Sequence, residues 1–264
     1  MSRAAQILTL TTDFGTADGY VGAMKGRILS IAPETLLCDI AHDIPPQDVA
    51  RGAWCLRRSV SQFPWGTVHL AVVDPGVGSQ RAGIVIESEH YLFVGPDNGL
   101  LHLAARDDGI RRVIEISEDA QEWYKSTSFD GLTLFAPVAA LLVAGMPLEE
   151  VGPDAEELVE WSDATAVLHG NVVEGRIVLF DRFGNAITDI PGDVIGDRSV
   201  ERIYLRNSQE LRYCDHYAQL AGDSRPGALI NSDGRLELTV YGDSAQARLS
   251  LKAGDAVRVL LRPL

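Results

Sequence analysis

The stretch VVDPGVGSQR, residues 72–81, runs strand-forming residues into Asp74, turns through Pro75, Gly76 and Gly78, and reaches Arg81 seven residues after the acid. Two more acids stand in comparable turns, Asp13 in TTDFGTADGY and Asp97 in GPDNGL. An Asp in a glycine-containing turn commonly makes an Asx turn or caps a helix. Three such acids at strand ends of one parallel sheet also describe a shared pocket, because ligands of open α/β sheets bind outside the carboxyl ends of the strands. The residues by themselves give a polar, acidic pocket at a sheet edge and leave both readings open.

The elements around these acids set the fold class. QILTLT (6–11) reads as a buried strand that delivers Asp13. GYVGAMKGRILSIAP then repeats Val21, Met24, Ile28 and Ile31 at helical spacing and stops at Pro33. TLLCDI is a second strand, DVARGAWCLRRSVSQF a second helix with Val49, Ala53, Leu56 and Val60 inward, and GTVHLAVV a third strand. This β-α-β-α-β order predicts a mainly parallel sheet with helices on both faces. A hairpin of AGIVIES with HYLFVG follows, then a turn and helix start at GPDNGLLHLAA, and a last helix over 132–144. From about Ala164 only short alternating runs remain, separated by Gly, Asp and Asn turns, as in a small β-barrel or sandwich. An α/β domain over 1–158 and an all-β domain over 164–264 are therefore expected, with an acidic linker near 153–163.

Composition narrows the function classes. The chain has 264 residues and a formal net charge of −14. That balance repels phosphate backbones and anionic lipid, which argues against nucleic-acid and membrane-surface roles. The apolar stretch LFAPVAALLVAG is too short to span a bilayer and contains a proline. The beginning of the chain lacks the basic, apolar and small-residue order of a secretory signal. Cys38, Cys55 and Cys214 form no C-x-x-C pair, so buried, reduced thiols in a cytoplasmic protein are expected. No nucleophile elbow, P-loop or first-strand dinucleotide fingerprint occurs. The six histidines lack metal-ligand spacing and are read as structural, His69 within a strand and His102 within a helix.

Seven collinear segments carry a more specific signal: TTDFGTADGYVGAMKG, DIPPQDVARGA, VVDPGVGSQR, GPDNGLL, FAPVAA, FDRFGNAITDI and INSDGRLELTV. Together they resemble the S-adenosyl-L-methionine (SAM) hydroxide adenosyltransferase family, relatives of the fluorinase and chlorinase. The resemblance implies an N-terminal α/β domain, a C-terminal β-barrel and homotrimers with active sites between subunits. The implied reaction is displacement at the ribose C5′ of SAM by water, giving adenosine and L-methionine. No metal or redox cofactor is implied, because the sulfonium makes methionine a good leaving group. By the same resemblance Asp74 and Arg81 hold and polarise the attacking water, and Asp13 accepts the ribose diol. Asp181 matches the residue holding the methionine ammonium. Phe183 and Asn185 match adenine- or methionine-side contacts, Tyr217 an aromatic stacked on adenine, and Ser232 a contact to the methionine carboxylate.

One segment departs from the pattern. The family motif T-F-H-G-R-D-x-F-A-P is here SFDGLTLFAP, so its histidine is Asp130, its arginine Leu132 and its aspartate Thr133. An imidazole that both donates and accepts has become a carboxylate that normally only accepts. Three readings follow. Asp130 replaces the histidine and works with Asp74 as a carboxylate pair sharing a proton; or the chain hydrolyses slowly, relying on the leaving group; or it binds an adenosyl ligand without turnover. A halogenase is a further alternative, disfavoured by the D-P-G-V-G turn.

Overall fold

The computed structural model describes residues 6–117, 129–161, 166–196, 198–205, 209–223 and 225–263. The chain divides into two units, Met1–Trp161 and Ser162–Leu264.

In the first unit β1 (Ile7–Thr12), β2 (Leu36–Ala41), β3 (Val68–Val72), β4 (Gly83–Ser88), β5 (Leu92–Pro96) and β6 (Ile110–Glu115) form one sheet in the order β2-β1-β3-β5-β4-β6. β1 runs parallel to β2 and β3, and β3 parallel to β5. β4 is antiparallel to both of its neighbours, so the sheet is parallel with an antiparallel end. The crossovers are α1 (Tyr20–Ile31) and α2 (Val49–Val60). Asp48 caps α2 by accepting the Arg51 N–H at 3.0 Å, while Arg57 and Arg58 complement the dipole in its last turn. Leu8, Leu10, Val68, Leu70 and Val72 pack with Met24 and Ile28 of α1 and with α4 (Ala136–Val143). On the other face α2 packs with α3 (His102–Asp108).

The opposite parity of β1 and β3 buries three polar residues, Thr9, Thr11 and His69, of which Thr9 and His69 are cross-strand partners. Their side chains meet at 2.8 Å between Thr9 Oγ1 and His69 Nδ1, and Phe63, Tyr91 and Phe93 surround the ring. Burial pushes the imidazole down from 6.5 to about 3, against a weaker pull from Asp108. Such a ring stays neutral in the fold but takes a proton in the unfolded chain. Its contribution is fully present above the unfolded value and is lost as pH falls from 6.5 toward 3. Between pH 7 and pH 5 the fold should lose about 2 kcal/mol through this residue. Urea unfolding at the two pH values should show that loss, and a smaller one in His69→Gln.

Three features differ from expectation. β6 was not anticipated, because its adjacent Arg111 and Arg112 break the strand-like run of IRRVIE. The helix expected over 132–144 begins instead with a π-helical turn, Gly131–Phe135, in which the Ala136 N–H reaches the Gly131 carbonyl. Pro137 stands in the first turn of α4, where its missing N–H is tolerated. Third, residues 153–161 are not a loose linker. Ile114 bridges Asp154, and the Ala155 N–H donates to the Val113 carbonyl at 2.9 Å. Residues 162–165 of the expected linker lie outside the described residues.

The second unit is a closed barrel. Its strands are β7 (Val167–His169), β8 (Val172–Phe180), β9 (Ala186–Pro191), β10 (Val200–Leu205), β11 (Glu210–Tyr213), β12 (Gly227–Ile230), β13 (Arg235–Thr239) and β14 (Ala256–Leu261). The ring runs β8-β9-β13-β12-β11-β10-β14 and closes where β14 pairs with β8, leaving β7 as an addition to β8. Closure removes the edges that an open sheet would expose. Val173, Ile177, Ile190, Ile203, Leu238 and Val259 are among the side chains that fill it. β9 escaped the sequence reading because AITDIP carries a buried Asp189 and a terminal proline, both unusual in strands.

Among the described residues no helix is long and apolar enough to cross a membrane. The three cysteines are free; Cys214 is buried, whereas Cys38 and Cys55 are partly exposed, so the expectation of buried thiols holds for Cys214 alone.

Candidate active site

β1, β3 and β5 are parallel neighbours, with Thr12 opposite Val72 and Leu70 opposite Val94. Asp13, Asp74 and Asp97 therefore leave the sheet at the same edge. Asp97 is engaged in a tether, accepting the Val159 N–H at 2.9 Å, and burial raises its pKa. Its partner is a distant backbone N–H, so it makes neither an Asx turn nor a helix cap and serves as a long-range structural tie. Asn98, next to it, donates to the Val73 carbonyl at 2.9 Å and so pins the end of β3 beside β5.

Asp74 and Arg81 form the centre of the edge. Arg81 Nε lies 3.1 Å and 3.0 Å from the two Asp74 oxygens, and Nη2 also bonds Asp74 Oδ2. The Gly76 N–H adds a fourth hydrogen bond to Asp74, at 3.1 Å. The side chains are 5% exposed for Asp74 and 13% for Arg81. Arg81 Nη2 reaches Asp130 Oδ2 as well, at 2.5 Å. One guanidinium thus joins two carboxylates that stand 56 positions apart in the chain. Burial opposes its charge, but the hydrogen bonds and attraction of Asp74 and then Asp130 outweigh this and raise its pKa. Its carbon also sits 5.1 Å from the centre of the Phe135 ring.

The two acids differ in access. Asp74 is saturated and almost hidden, while Asp130 is 30% exposed, and among the described residues its Oδ1 carries no hydrogen bond. The geometry is therefore two carboxylates meeting on one arginine.

Asp130 is held there by an aromatic clamp. Phe129 stacks edge-on against Phe14 at 5.2 Å and Tyr20 at 5.1 Å, which ties the π-helical turn to the turn after β1. Gly131 fits only because it lacks a side chain, since a Cβ would lie 2.9 Å from Phe129 and 3.2 Å from Phe14. No motif in the sequence announced the clamp. Asp13, in the same turn, accepts the Gln47 N–H on Oδ2 at 2.7 Å.

The barrel brings its own residues together. Asp181, Phe183, Asn185, Tyr217 and Ser232 all line one open depression of about 930 Å³. Asp181 Oδ1 accepts the N–H groups of Phe183 and Asn185, and Oδ2 accepts Asn185 Nδ2, each at 2.9 Å. Asn185 Oδ1 in turn accepts the Thr239 hydroxyl at 2.6 Å. Gly184 has φ +81, and a Cβ there would run into Ser244. This tight turn projects Phe183, 76% exposed, over the depression. Tyr217 stacks on Tyr241 at 5.1 Å, and its hydroxyl is fixed by the Gly242 N–H at 2.7 Å. An acid, a carboxamide and exposed aromatic faces suit a flat base and a cationic group. Among the described residues no group of three or more His, Cys, Asp or Glu side chains is placed to hold a metal ion.

Comparison with known proteins gives the family. Residues 8–152 match the SAM hydroxide adenosyltransferase N-terminal domain, and residues 175–258 match the C-terminal domain of the same family. The chain belongs to the SAM hydroxide adenosyltransferase family. One member, the (R)-S-adenosyl-L-methionine hydrolase of Methanocaldococcus jannaschii, is 37% identical over 266 residues, covering 96% of this chain and 95% of its own. The fluorinase of Actinopolyspora mzabensis is 26% identical, covering 98% of both chains. A solved structure of an uncharacterized conserved protein from Thermotoga maritima superposes with a TM-score of 0.87 at 32% identity, over 96% of this chain and 99% of its own. Asp130, which stands on the same arginine as Asp74, is the feature that a functional reading has to explain.

Proposed function

We propose that this chain hydrolyses SAM to adenosine and L-methionine by attack of water at the ribose C5′. The observation that carries this reading is Arg81 bonded to both Asp74 and Asp130 at the end of β3. The hydrolases among its relatives are also closer in sequence than the fluorinase, at 37% against 26% identity.

As the water oxygen bonds to C5′, the C5′–S bond breaks and its electron pair stays with sulfur. The sulfonium charge disappears, and one proton must leave the water. Asp74 fixes Arg81, and Arg81 directs Asp130. The open Oδ1 of Asp130 is the better-placed acceptor for that proton. Both acids also favour the nearby sulfonium, while the trio's excess negative charge disfavours a halide in place of water. Asp13 takes the ribose diol. On the barrel Asp181 receives the methionine ammonium, Tyr217 stacks on adenine, Phe183 and Asn185 flank the ligand, and Ser232 meets the methionine carboxylate. The reading extends to a cytoplasmic homotrimer in which neighbouring copies complete each site, an assembly that light scattering would test. It involves no metal or redox cofactor.

Chromatography of products from SAM, with and without chloride, tests the reaction. Equal amounts of adenosine and methionine in both conditions support hydrolysis. A chloride-dependent 5′-chloro product would replace it with halogenation, and tight binding with no products would leave a ligand-binding protein.

A further inference from the structure

We infer that His42 is a positioning residue for Asp13, acting through Thr12 and anchored by the Asp39–Lys25 pair. This inference rests on the proposed role of Asp13 toward the ribose diol.

His42 is buried, in the segment after β2. Its Nδ1 lies 2.8 Å from Thr12 Oγ1, and its Nε2 3.1 Å from Asp39 Oδ1. Lys25 Nζ donates to the other Asp39 oxygen at 2.6 Å. Thr12 Oγ1 also accepts the Phe14 N–H at 3.3 Å. Of the two tautomers of a neutral imidazole, the one with its proton on Nε2 turns that proton toward the Asp39 carboxylate and leaves Nδ1 to accept the Thr12 hydroxyl. The other would aim a lone pair at the carboxylate.

The result is a grip on Asp13 from both sides. The Phe14-to-Thr12 bond closes a small turn whose central residue is Asp13. The His42 carbonyl accepts the Gly15 N–H at 2.8 Å, just beyond it. Five residues after His42, Gln47 holds Asp13 Oδ2 with its N–H while adopting φ +67, a conformation that costs a non-glycine residue energy. Among the described residues Asp13 Oδ1 has no partner, so the grip leaves one oxygen oriented for a ligand. Removing the Thr12 hydroxyl would free the turn and let that oxygen swing.

The test uses calorimetric binding of adenosine and 2′-deoxyadenosine, which needs no turnover, to the full chain and its variants. The wild type should prefer adenosine by about tenfold or more, as expected when a charged acceptor loses a hydroxyl partner. Thr12→Val should cut that preference to about threefold or less, while Thr12→Ser, which keeps the hydroxyl, should retain most of it. With SAM, Thr12→Val should raise KM about tenfold and change kcat far less, the pattern of lost binding and not of lost chemistry. Should Thr12→Val fold poorly, Asp39→Asn at the exposed end should still weaken the preference by about threefold. A wild-type preference that survives unchanged in folded Thr12→Val and in Asp39→Asn would overturn the inference and leave hydrolysis standing. A wild type that binds both nucleosides equally would overturn the role of Asp13 and the inference with it.

Discussion

Asp74→Asn is expected to lower kcat for SAM hydrolysis by about 10³-fold, equivalent to about 4 kcal/mol of lost transition-state stabilisation. The carboxamide keeps the shape of the side chain but removes the charge that fixes Arg81. Three of the hydrogen bonds that Asp74 accepts come from this one guanidinium, which has little solvent to replace them. Alanine is the harsher change. It removes one partner of a nearly buried pair and should also destabilise the fold by about 3 kcal/mol, with Asp130 still holding part of the arginine's charge. The asparagine variant is the one to measure for mechanism, by steady-state kinetics alongside thermal unfolding. Unchanged turnover in a folded Asp74→Asn protein would remove Asp74 from the reaction.

The second large effect is at Asp130. Asp130→Asn should reduce kcat by about 10²- to 10³-fold, the usual worth of a positioned proton acceptor. It should leave stability nearly unchanged, because this carboxylate is the more exposed of the two. Asp130→His should keep activity within about tenfold of wild type, since a neutral imidazole can also take a proton from water. Its activity should then fall as pH drops through about 6.5, where the imidazole protonates and can no longer accept. A histidine variant as inactive as the asparagine variant would mean that the site has been rebuilt around a carboxylate.

Much of this arrangement was legible in the residues, and the gaps have physical causes. Strands ending in Asp13 and Asp74 could be read because apolar runs stop at turn residues, and the crossover helices follow from their spacing. The shared edge followed from the β-α-β order. Asp97 joined the list of candidates by the same logic, yet its partner Val159 lies 62 residues away and no local pattern links them. The strands of β6 and β9 were hidden by charges and a proline whose compensation comes from neighbouring strands. The aromatic clamp joins residues more than a hundred positions apart, and only packing reveals it. Asp130 was identifiable as a departure from a motif, but its bond to Arg81 was not. His42 read as one more structural histidine until its ring nitrogens were seen to lie against Thr12 on one side and Asp39 on the other.

The central claim is that water is the nucleophile at C5′. Incubating the protein with SAM in ¹⁸O-labelled water and weighing the adenosine by mass spectrometry tests it directly. The account predicts adenosine heavier by one ¹⁸O on its 5′-oxygen, released together with unlabelled methionine. Unlabelled adenosine, or SAM left intact by protein that binds it, would contradict the account.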